Sequence, residues 1–378
     1  MSRRQQISNA MSWLPQSLWH QLTRRPASVR PLHLIFCLAD HFEPSILPGR
    51  GEEHAPLGEQ ERRLKHWCEA YPAAVERWRD HEGRPFVHTY FYPAEQFYPS
   101  LLDRLSEHCH AGWGEIEIQL HHGVDAPDSS DLTRQKIVSF RDELVRRGCL
   151  SRVDGSDLPR YAFVHGNWAL ANSAENQNCG VDDEMQILAD TGCFADFTLP
   201  SAPNPAQVRK INALYECGLP LTGPAPHRTG QDLRRGGVVN KWPIIVQGPL
   251  LLSLAERPGR GRRPHIENSA LAAPTPPSLE RLELWRKMNI IVQGQPHWIF
   301  IKLHCHGMDP RDEDVMLGSQ RREFLRALTE WAGDGSQFRL HFTTAREMVN
   351  IILAACAGKS GNPGEYREFK FRKIQQNH

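Results

Sequence analysis

Two hydrophobic periods alternate along this chain, one typical of strands and one typical of helices. The run LHLIFCLAD at 32–40 is almost continuously apolar, as expected for a strand buried on both faces of a sheet. The stretch EIEIQLHH at 115–122 alternates apolar and polar residues and also predicts a strand. Segments with apolar residues three and four positions apart separate the strands, so the chain predicts a repeated strand–helix unit.

This alternation continues to the end of the predicted domain. Further strands are predicted at 85–92, 161–166, 194–200, 241–248, 298–307 and 338–344. Helices are predicted at 61–78, 100–109, 131–148, 182–192, 205–218, 278–289, 319–333 and 345–357. Strand–helix alternation requires a parallel sheet with helical crossovers. Closed, such a sheet is a (β/α) barrel of seven or eight strands; open, it is a doubly wound sheet.

The repeated units predict one α/β domain at 31–357 with an extension at each end. Residues 1–30 are expected to be helical or loose, and 358–378 to form a polar tail. A Pro- and Arg-rich stretch near 256–277 predicts a long loop inside the domain.

The N-terminal residues bear on the predicted location. They contain no apolar run of secretory or membrane-spanning length, so we expect a cytoplasmic protein without a transmembrane segment. A short amphipathic helix at 12–22 could contact a membrane peripherally or contact a partner; the alternative is a surface helix or a frayed end.

Composition narrows the function classes. The net charge is +1, from 45 basic and 44 acidic residues, which gives no reason to expect a nucleic-acid partner. The nine cysteines contain no C-x-x-C pair, which argues against a zinc ribbon or disulfide framework and favours a reducing compartment. No G-x-G-x-x-G follows the first strand, so nucleotide binding is disfavoured. The 19 histidines are the unusual feature.

Ionisable residues gather where the predicted strands end. They are Asp40, His41, His121, His122, His165, His304 and His306. In both candidate architectures the carboxyl edge of the sheet carries the chemistry, so we expect these side chains to converge. Imidazole and carboxylate together suit a divalent metal or general acid–base catalysis.

Strand alternation separates some of these residues. Lys302, His304 and His306 are expected on one face of their strand. His121 and Asp125 are four residues apart with Gly123 between them, so the chain can turn and bring both side chains to one ion. The His121-x-x-x-Asp125 motif alone is better explained by a turn-forming aspartate, and the His304 and His306 pair equally well by hydrogen-bonded loop residues; their combination at one edge favours a metal site.

In this layout the chain resembles the polysaccharide deacetylase superfamily, the NodB-homology domain. The segment FCLADHFEP occupies the place of the family's first-strand T-F-D-D, EIEIQLHHGVD the place of its metal strand, and FIKLHCHG the place of its late histidine strand. The resemblance covers roughly 30–357 in scattered pieces. It implies a distorted (β/α) barrel of seven or eight strands that removes acyl groups from carbohydrate.

The resemblance also implies roles for residues. Asp40 and His41 would supply the base and a metal ligand, with Asp40 in the base's place but their order open. His121 and Asp125 would be further metal ligands, and His304 or His306 the acid. The cofactor would be a divalent metal, zinc first, with manganese, cobalt, nickel or iron as alternatives.

Substrate contacts are expected after the fourth strand. His165, Asn167 and Trp168 lie there, and Trp168 could stack on a sugar ring or simply pack as a rim aromatic. The resulting hypothesis is a metal-dependent hydrolase that removes an acyl group, first of all N-acetyl, from a sugar or polysaccharide precursor.

The motifs depart from the family's pattern. Asp-Asp has become Asp40-His41, H-x-x-x-H has become His121-x-x-x-Asp125, and the arginine–proline–tyrosine motif is absent. Two alternatives therefore stay open: a catalytically inactive carbohydrate-binding barrel, and a non-haem iron oxygenase with a facial triad of two histidines and one carboxylate. The oligomeric state is not predicted.

Overall fold

The structure is a computed structural model that describes residues 3–50, 53–254, 256–257 and 261–374. The α-helices are α1 Arg3–Thr23, α2 Leu57–Val75, α3 Pro99–His108, α4 Ser130–Arg146, α5 Glu184–Thr191, α6 Leu279–Lys287, α7 Glu313–Met316, α8 Ser319–Ala332 and α9 Ala345–Cys356. The strands of the first half are β1 Leu32–His41, β2 His88–Pro93, β3 Gly114–Leu120, β4 Ser151–Arg152, β5 Tyr161–His165 and β6 Cys193–Asp196. Those of the second half are β7 Leu214–Cys217, β8 Gly230–Asp232, β9 Ile244–Val246, β10 Leu251–Ser253, β11 Glu256–Arg257, β12 Gly261–Arg262, β13 His265–Glu267, β14 Ala270–Leu271, β15 Trp298–Cys305, β16 Phe338–Thr343 and β17 Arg372–Lys373.

Within the described residues, eleven strands form one mostly parallel sheet. Its order is β14-β15-β1-β2-β3-β5-β6-β9-β7-β8, with β16 pairing β1 beside this path. All neighbours from β14 to β9 are parallel, and only β7 runs antiparallel, to both β9 and β8. The α/β class and the parallel sheet are thus confirmed. In the described part no strand pair joins the two ends of this path, so closure into a barrel is not shown.

Each face of the sheet has its own hydrophobic core. On what we call the outer face, Leu34, Phe36 and Leu38 of β1 pack with side chains of α2, α3, α4, α5, α6 and α8. On the inner face, Ile35 and Cys37 pack against α9, a helix whose residues are all buried. Burial on both faces explains why β1 reads as one continuous apolar run.

The predicted helix at 205–218 is wrong. Its last residues form β7, which pairs with β8 and β9, and the residues before β7 are turns and bends. The Tyr215 hydroxyl donates to the carbonyl of His227 at 2.7 Å. Strand pairing and the burial of Leu214 and Tyr215 on opposite faces outweigh the local helical period.

The N-terminal extension contains α1, which packs on the strand β10. The backbone amide of Leu252 donates to the Ser17 hydroxyl at 3.3 Å, and Trp13 is buried. The opposite face exposes apolar side chains, with Trp19 64% and Leu22 72% exposed. Among the described helices, none combines the length and the apolarity needed to cross a membrane.

Two segments predicted as irregular contain more structure than expected. The stretch near 256–277 holds β11, β12, β13 and β14, while residues 255 and 258–260 lie outside the described part. The region 358–378, predicted as a polar tail, includes β17, which pairs with β4. Phe371 is fully buried there, because its ring stacks on Phe194 at 4.7 Å. The buried Phe371 ring, together with hydrogen bonds between its backbone and the side chains of Arg346 and Asn350, therefore holds this otherwise polar segment in place.

Candidate metal centre at the strand ends

The carboxyl ends of β1, β3 and β15 meet at one edge of the sheet. Asp40 is in register with Cys305, and Ala39 with His304, so the residues after both strands emerge side by side. Alternation sends Asp40 and Cys305 to the outer face and His304 to the inner face. The inner face at this edge is where the candidate site forms.

Three side chains at this edge form what we call the rim group: His41, Glu43 and His306. One donor atom from each lies within 4.8 Å of the others. His41 is buried, whereas Glu43 and His306 are partly exposed, so the group is reachable from solvent. The imidazole centroids of His41 and His306 are 4.9 Å apart. Two imidazoles and one carboxylate at this spacing could hold a divalent metal ion.

A hydrogen-bonded chain holds Glu43 in place. The Gln119 amide donates to Glu43 at 2.6 Å, and His121 Nε2 lies 3.4 Å from the same carboxylate. The other ring nitrogen of His121 lies 2.6 Å from Glu95. Gly166 makes room for this ring, because a Cβ there would lie 2.3 Å from it. His121 therefore bridges two carboxylates.

Neighbouring charges shift the pKa values of Glu43 and His121 in opposite directions. Burial opposes ionisation of Glu43, but its hydrogen bond to His121 and the nearby imidazoles outweigh burial and lower the pKa of Glu43 to about 2. Burial also opposes protonation of His121, but Glu43 and Glu95 outweigh it and raise the pKa of His121 to about 10. These shifts favour a protonated His121 beside an ionised Glu43.

A cleft opens beside the rim group. It has a volume of about 380 Å³ and is lined by His304, His306 and Trp168, together with residues of the 200–204 and 268–272 segments. The ring of His41 lies 6.5 Å from that of His304 and 6.4 Å from that of Trp168. His304 is buried, and burial lowers its pKa well below the ordinary value. Of the predicted residues, His41, His121, His304, His306 and Trp168 therefore surround one site.

Asp40, predicted as base or metal ligand, does not face this site. Its carboxylate is fully buried on the outer face, where Oδ2 lies 2.9 Å from His88 Nδ1. Its other oxygen accepts the backbone amide of Gly307 at 2.6 Å. Both carboxylate oxygens of Asp40 thus have hydrogen-bond partners, and the bond to the Gly307 amide stabilises the turn after His306. The cause is strand alternation: β1 stays regular through His41 and does not break at Asp40.

Other predicted residues also lie elsewhere. Asp125 is exposed, and it belongs to none of the potential metal-binding groups among the described residues. His165 is buried on the outer face rather than in the cleft. Asn167 is partly buried, and its amide nitrogen lacks a hydrogen-bond partner within the described part.

A second group, fully buried, lies behind the strand ends. It consists of His122, His165, Cys179 and Glu184, and it could also hold a metal ion. We call it the interior group. A third set, Asp40, His88 and Cys305, is equally buried.

Sequence reasoning gave no role to Glu43 or Glu95. Glu43 carried a usable signal, since it lies two residues after His41 and alternation predicts the same face. Glu95 follows β2 in a short 3₁₀ turn at Ala94–Gln96, and no periodicity in the sequence points to it. Cys179 likewise lies in an irregular segment, and no sequence pattern predicts that it lies close to His122 and His165.

No model of a known protein family matches this chain, and no curated protein matches it. Among solved structures, an alpha-mannosidase from Enterococcus faecalis V583 is similar at 10% identity and a TM-score of 0.40, over 85% of this chain and 29% of that one. A "putative polysaccharide deacetylase from Mycobacterium smegmatis" is similar at 13% identity and a TM-score of 0.41, over 89% of this chain and 95% of that one. The chain thus spans about 29% of the mannosidase. At these identities and TM-scores, neither similarity assigns a family or a function to this chain.

Proposed function

We propose that the protein is a metal-dependent hydrolase that cleaves the C–N (amide) bond of an acyl group, first of all N-acetyl, on a sugar or polysaccharide precursor. The observation that carries this proposal is the rim group, whose donor atoms lie within 4.8 Å of one another beside the cleft. Two histidines and one glutamate are a ligand set of catalytic zinc, which leaves a position for water or substrate. The sequence resemblance to deacetylases supplies the acyl substrate class.

The residues present fit a divalent cation. His41 Nδ1 is buried and has no hydrogen-bond partner in the described part of the chain, which is costly unless another group engages it. His41, Glu43 and His306 would hold the ion. His121, which Glu95 holds in place, would orient the Glu43 carboxylate. Zinc suits this ligand set best, with manganese, cobalt, nickel or iron as alternatives.

In the proposed hydrolysis, the ion and the side chain of His304 have different roles. A divalent ion there would supply Lewis acidity, which polarises an acyl carbonyl and lowers the pKa of a water molecule. His304 lies two residues before His306 and lines the cleft, and its Nδ1 has no partner among the described groups. We assign to His304 the proton transfer from the attacking water to the leaving nitrogen.

The cleft accommodates a sugar-sized ligand. Its volume of about 380 Å³ is within the usual range for small-molecule sites, roughly 300–1,000 Å³. Trp168 forms one wall, and its ring can stack on the apolar face of a sugar. The Asn167 amide nitrogen is buried without a hydrogen-bond partner in the described part, and we assign it to a substrate hydroxyl.

Metal content and acetate release test this proposal together. Purified protein should contain a divalent metal, and protein stripped by a chelator and reloaded with zinc should release acetate from at least one N-acetylated sugar or sugar oligomer. Activity should vanish with the chelator and return with the metal. Wild-type protein that carries no metal at the rim and releases no acetate, yet binds glycans, would establish the inactive carbohydrate-binding alternative.

One observation favours a second candidate. Two histidines and one carboxylate also form the facial triad of non-haem iron oxygenases. Iron-loaded protein that consumes oxygen in the presence of a sugar, with zinc-loaded protein inactive on all acylated sugars, would replace hydrolysis by oxygenation.

The role of Trp168 can be tested separately from the metal. We expect Trp168→Ala to raise KM for the sugar about two- to tenfold with little change in kcat, because ring stacking contributes about 0.5–1.5 kcal/mol. Trp168→Phe should restore much of the loss. Trp19→Ala is the matched control, since Trp19 is 64% exposed on α1. An unchanged KM in the alanine variant would remove Trp168 from the substrate site.

The predicted closure of the sheet into a (β/α) barrel is part of the same proposal. Its support is the contact between β15 and the segments that follow β6 and β9. The ammonium of Lys302 donates to the carbonyl of Leu199 at 3.1 Å, and Gly248 lies so close that a Cβ there would meet the Lys302 carbonyl at 2.4 Å.

A further inference from the structure

The interior group joins four separate parts of the chain. His122 follows β3, His165 ends β5, Cys179 lies in the loop after β5, and Glu184 begins α5. One donor atom from each lies within 4.8 Å of all the others, and all four residues are buried. Imidazole, thiolate and carboxylate are the donors that zinc uses in proteins.

The observed separations approach those of a tetrahedral site. His122 Nε2 lies 2.9 Å and His165 Nε2 3.9 Å from Glu184 Oε1, and Cys179 Sγ lies 3.8 Å from Glu184 Oε2. With metal–ligand bonds of about 2.0–2.3 Å, two ligand atoms of a tetrahedral site lie roughly 3.3–3.8 Å apart. Small side-chain adjustments would therefore seat an ion.

His165 shows an unmet need for a partner. It is fully buried, and neither ring nitrogen has a hydrogen-bond partner in the described part of the chain. A buried imidazole is rarely left without any partner. The Asp40, His88 and Cys305 set differs here, because its histidine has a partner at each ring nitrogen, Asp40 at Nδ1 and Arg321 at Nε2. We therefore treat that set as structural hydrogen bonding.

The interior group also has the hydrogen bonds that surround metal ligands. His122 Nδ1 lies 3.3 Å from both Asp128 and Thr133, so its other nitrogen is oriented towards the group. The amide of Ala171 donates to Glu184 at 2.6 Å.

Backbone amides also point at the sulfur. The amides of Asn172 and Val181 donate to Cys179 Sγ at 3.3 and 3.5 Å. Amide donors at sulfur stabilise a thiolate, which is the form that binds metal.

The loop 166–180, which contains Cys179 of the interior group, has an unusual backbone. Its residues with φ between 46° and 66° are Trp168, Ala171, Asn172, Glu175, Asn176 and Asn178. Residues other than glycine rarely adopt this left-handed backbone conformation unless the surrounding structure imposes it. Gly123 permits the loop to approach the end of β3, because a Cβ there would lie 2.1 Å from the Cys179 carbonyl. The same loop carries Trp168 to the cleft.

We infer that His122, His165, Cys179 and Glu184 bind a second divalent ion, zinc by the chemistry of its donors, and that this ion is structural. Four protein donors and full burial leave no position for substrate, as in closed structural zinc sites. The ion would anchor the loop 166–180 to β3, β5 and α5. This inference does not depend on the proposed function, because the rim group has no residue in common with the interior group.

Cobalt substitution distinguishes the two groups directly. The interior group contains a thiolate donor and the rim group does not, so only interior cobalt gives sulfur-to-cobalt charge-transfer absorption in the near ultraviolet. We expect this absorption in cobalt-loaded wild-type protein and in His41→Ala, and we expect it to be lost in Cys179→Ala. Cys193→Ala is the matched control, a buried cysteine in β6 outside the interior group.

Metal content and loop protection give independent measurements. Wild-type protein should hold about two ions per chain, with about one left in Cys179→Ala and about one in His41→Ala. Proteolysis within 166–180 should accelerate in Cys179→Ala but not in Cys193→Ala. If Cys179→Ala does not fold, Glu184→Gln replaces it, since the amide keeps the shape of the carboxylate.

The wild-type spectrum decides the inference even if neither variant folds. Fully cobalt-loaded wild-type protein without thiolate charge-transfer absorption would overturn it, as would a Cys179→Ala variant with unchanged metal content. Failure of acetate release would leave this result unaffected and would count only against the proposed function.

Discussion

The variant His41→Ala is expected to lose metal binding at the rim group. Its kcat/KM for acetate release should fall by roughly 10³-fold or more. The reason is that His41 is one of three donors, and loss of Lewis-acid stabilisation worth several kcal/mol corresponds to a factor of this size. Metal analysis and acetate release on the same preparation measure both effects. The interior ion should remain, so about one metal ion per chain is expected in this variant.

A buried histidine outside both groups provides the control. His108 is buried in α3, where its ring bonds the Tyr90 hydroxyl at 3.0 Å. His108→Ala should lose stability but keep metal and turnover. Equal loss of activity in His41→Ala and His108→Ala, at equal metal content, would mean that the effect at position 41 is structural and would remove His41 from the metal centre.

The variant Asp40→Asn distinguishes two roles for Asp40: a buried hydrogen-bonding residue, as its position indicates, or the catalytic base, as the sequence resemblance implies. The asparagine oxygen can still accept the Gly307 amide, and its NH₂ group can face His88, so we expect a folded protein that keeps its metal and most of its turnover. A folded Asp40→Asn variant that keeps metal but loses turnover would instead make Asp40 the base, as the sequence resemblance implies.

The location of the site could be predicted from the sequence because it depends on strand periodicity. β1, β3 and β15 are long and strongly patterned, and parallel strands present their carboxyl ends at one edge. His41, His121, His304 and His306 were therefore predicted at one edge. The pairing of Asp40 with His41 at a single ion could not hold, because neighbouring residues of an unbroken strand face opposite ways.

Features that depend on irregular backbone were beyond the sequence. Asp125 was paired with His121 on spacing alone, but the turn after β3 leaves Asp125 exposed. Cys179 and Glu184 approach His122 and His165 only because the left-handed loop folds back, and no period encodes that path. The predicted helix at 205–218 failed for a related reason, since pairing with β9 competes with local helical preference.

A second large effect is expected far from the cleft. Arg346 of α9 is buried, and its guanidinium contacts Glu115 of β3 at 2.8 Å and Glu368 at 2.7 Å. It also donates to the carbonyl of Phe371 at 2.8 Å, so it ties the C-terminal segment to the sheet. Arg346→Met should lower the free energy of unfolding by about 3–5 kcal/mol, because it leaves the buried Glu115 carboxylate without its main partner.

An exposed arginine supplies the control for this loss. Arg326 pairs with Glu330 at 2.9 Å on α8, with both side chains more than half exposed. Arg326→Met should change stability by less than about 1 kcal/mol. Thermal and urea unfolding of both variants measure the difference. If Arg346→Met were no less stable than Arg326→Met, the buried ion pair would not be needed for the fold.

The pH dependence of this loss identifies Glu115 as its source. Burial alone would raise the pKa of Glu115, but Arg346 and Lys373 outweigh burial and hold it below the ordinary carboxyl value of 4.5. A carboxylate with a depressed folded-state pKa stabilises the fold above its unfolded pKa, and this contribution is lost as the pH falls below that value. The deficit of Arg346→Met relative to wild type should therefore be largest near neutral pH and shrink as acid protonates Glu115, which begins at a higher pH in the variant because Arg346 no longer lowers this pKa. The double variant Arg346→Met, Glu115→Gln should recover part of the loss at neutral pH, because no buried charge is left unpaired. A deficit that stays constant with pH and is not reduced in the double variant would mean that Arg346 acts through packing and its backbone hydrogen bonds instead of through Glu115.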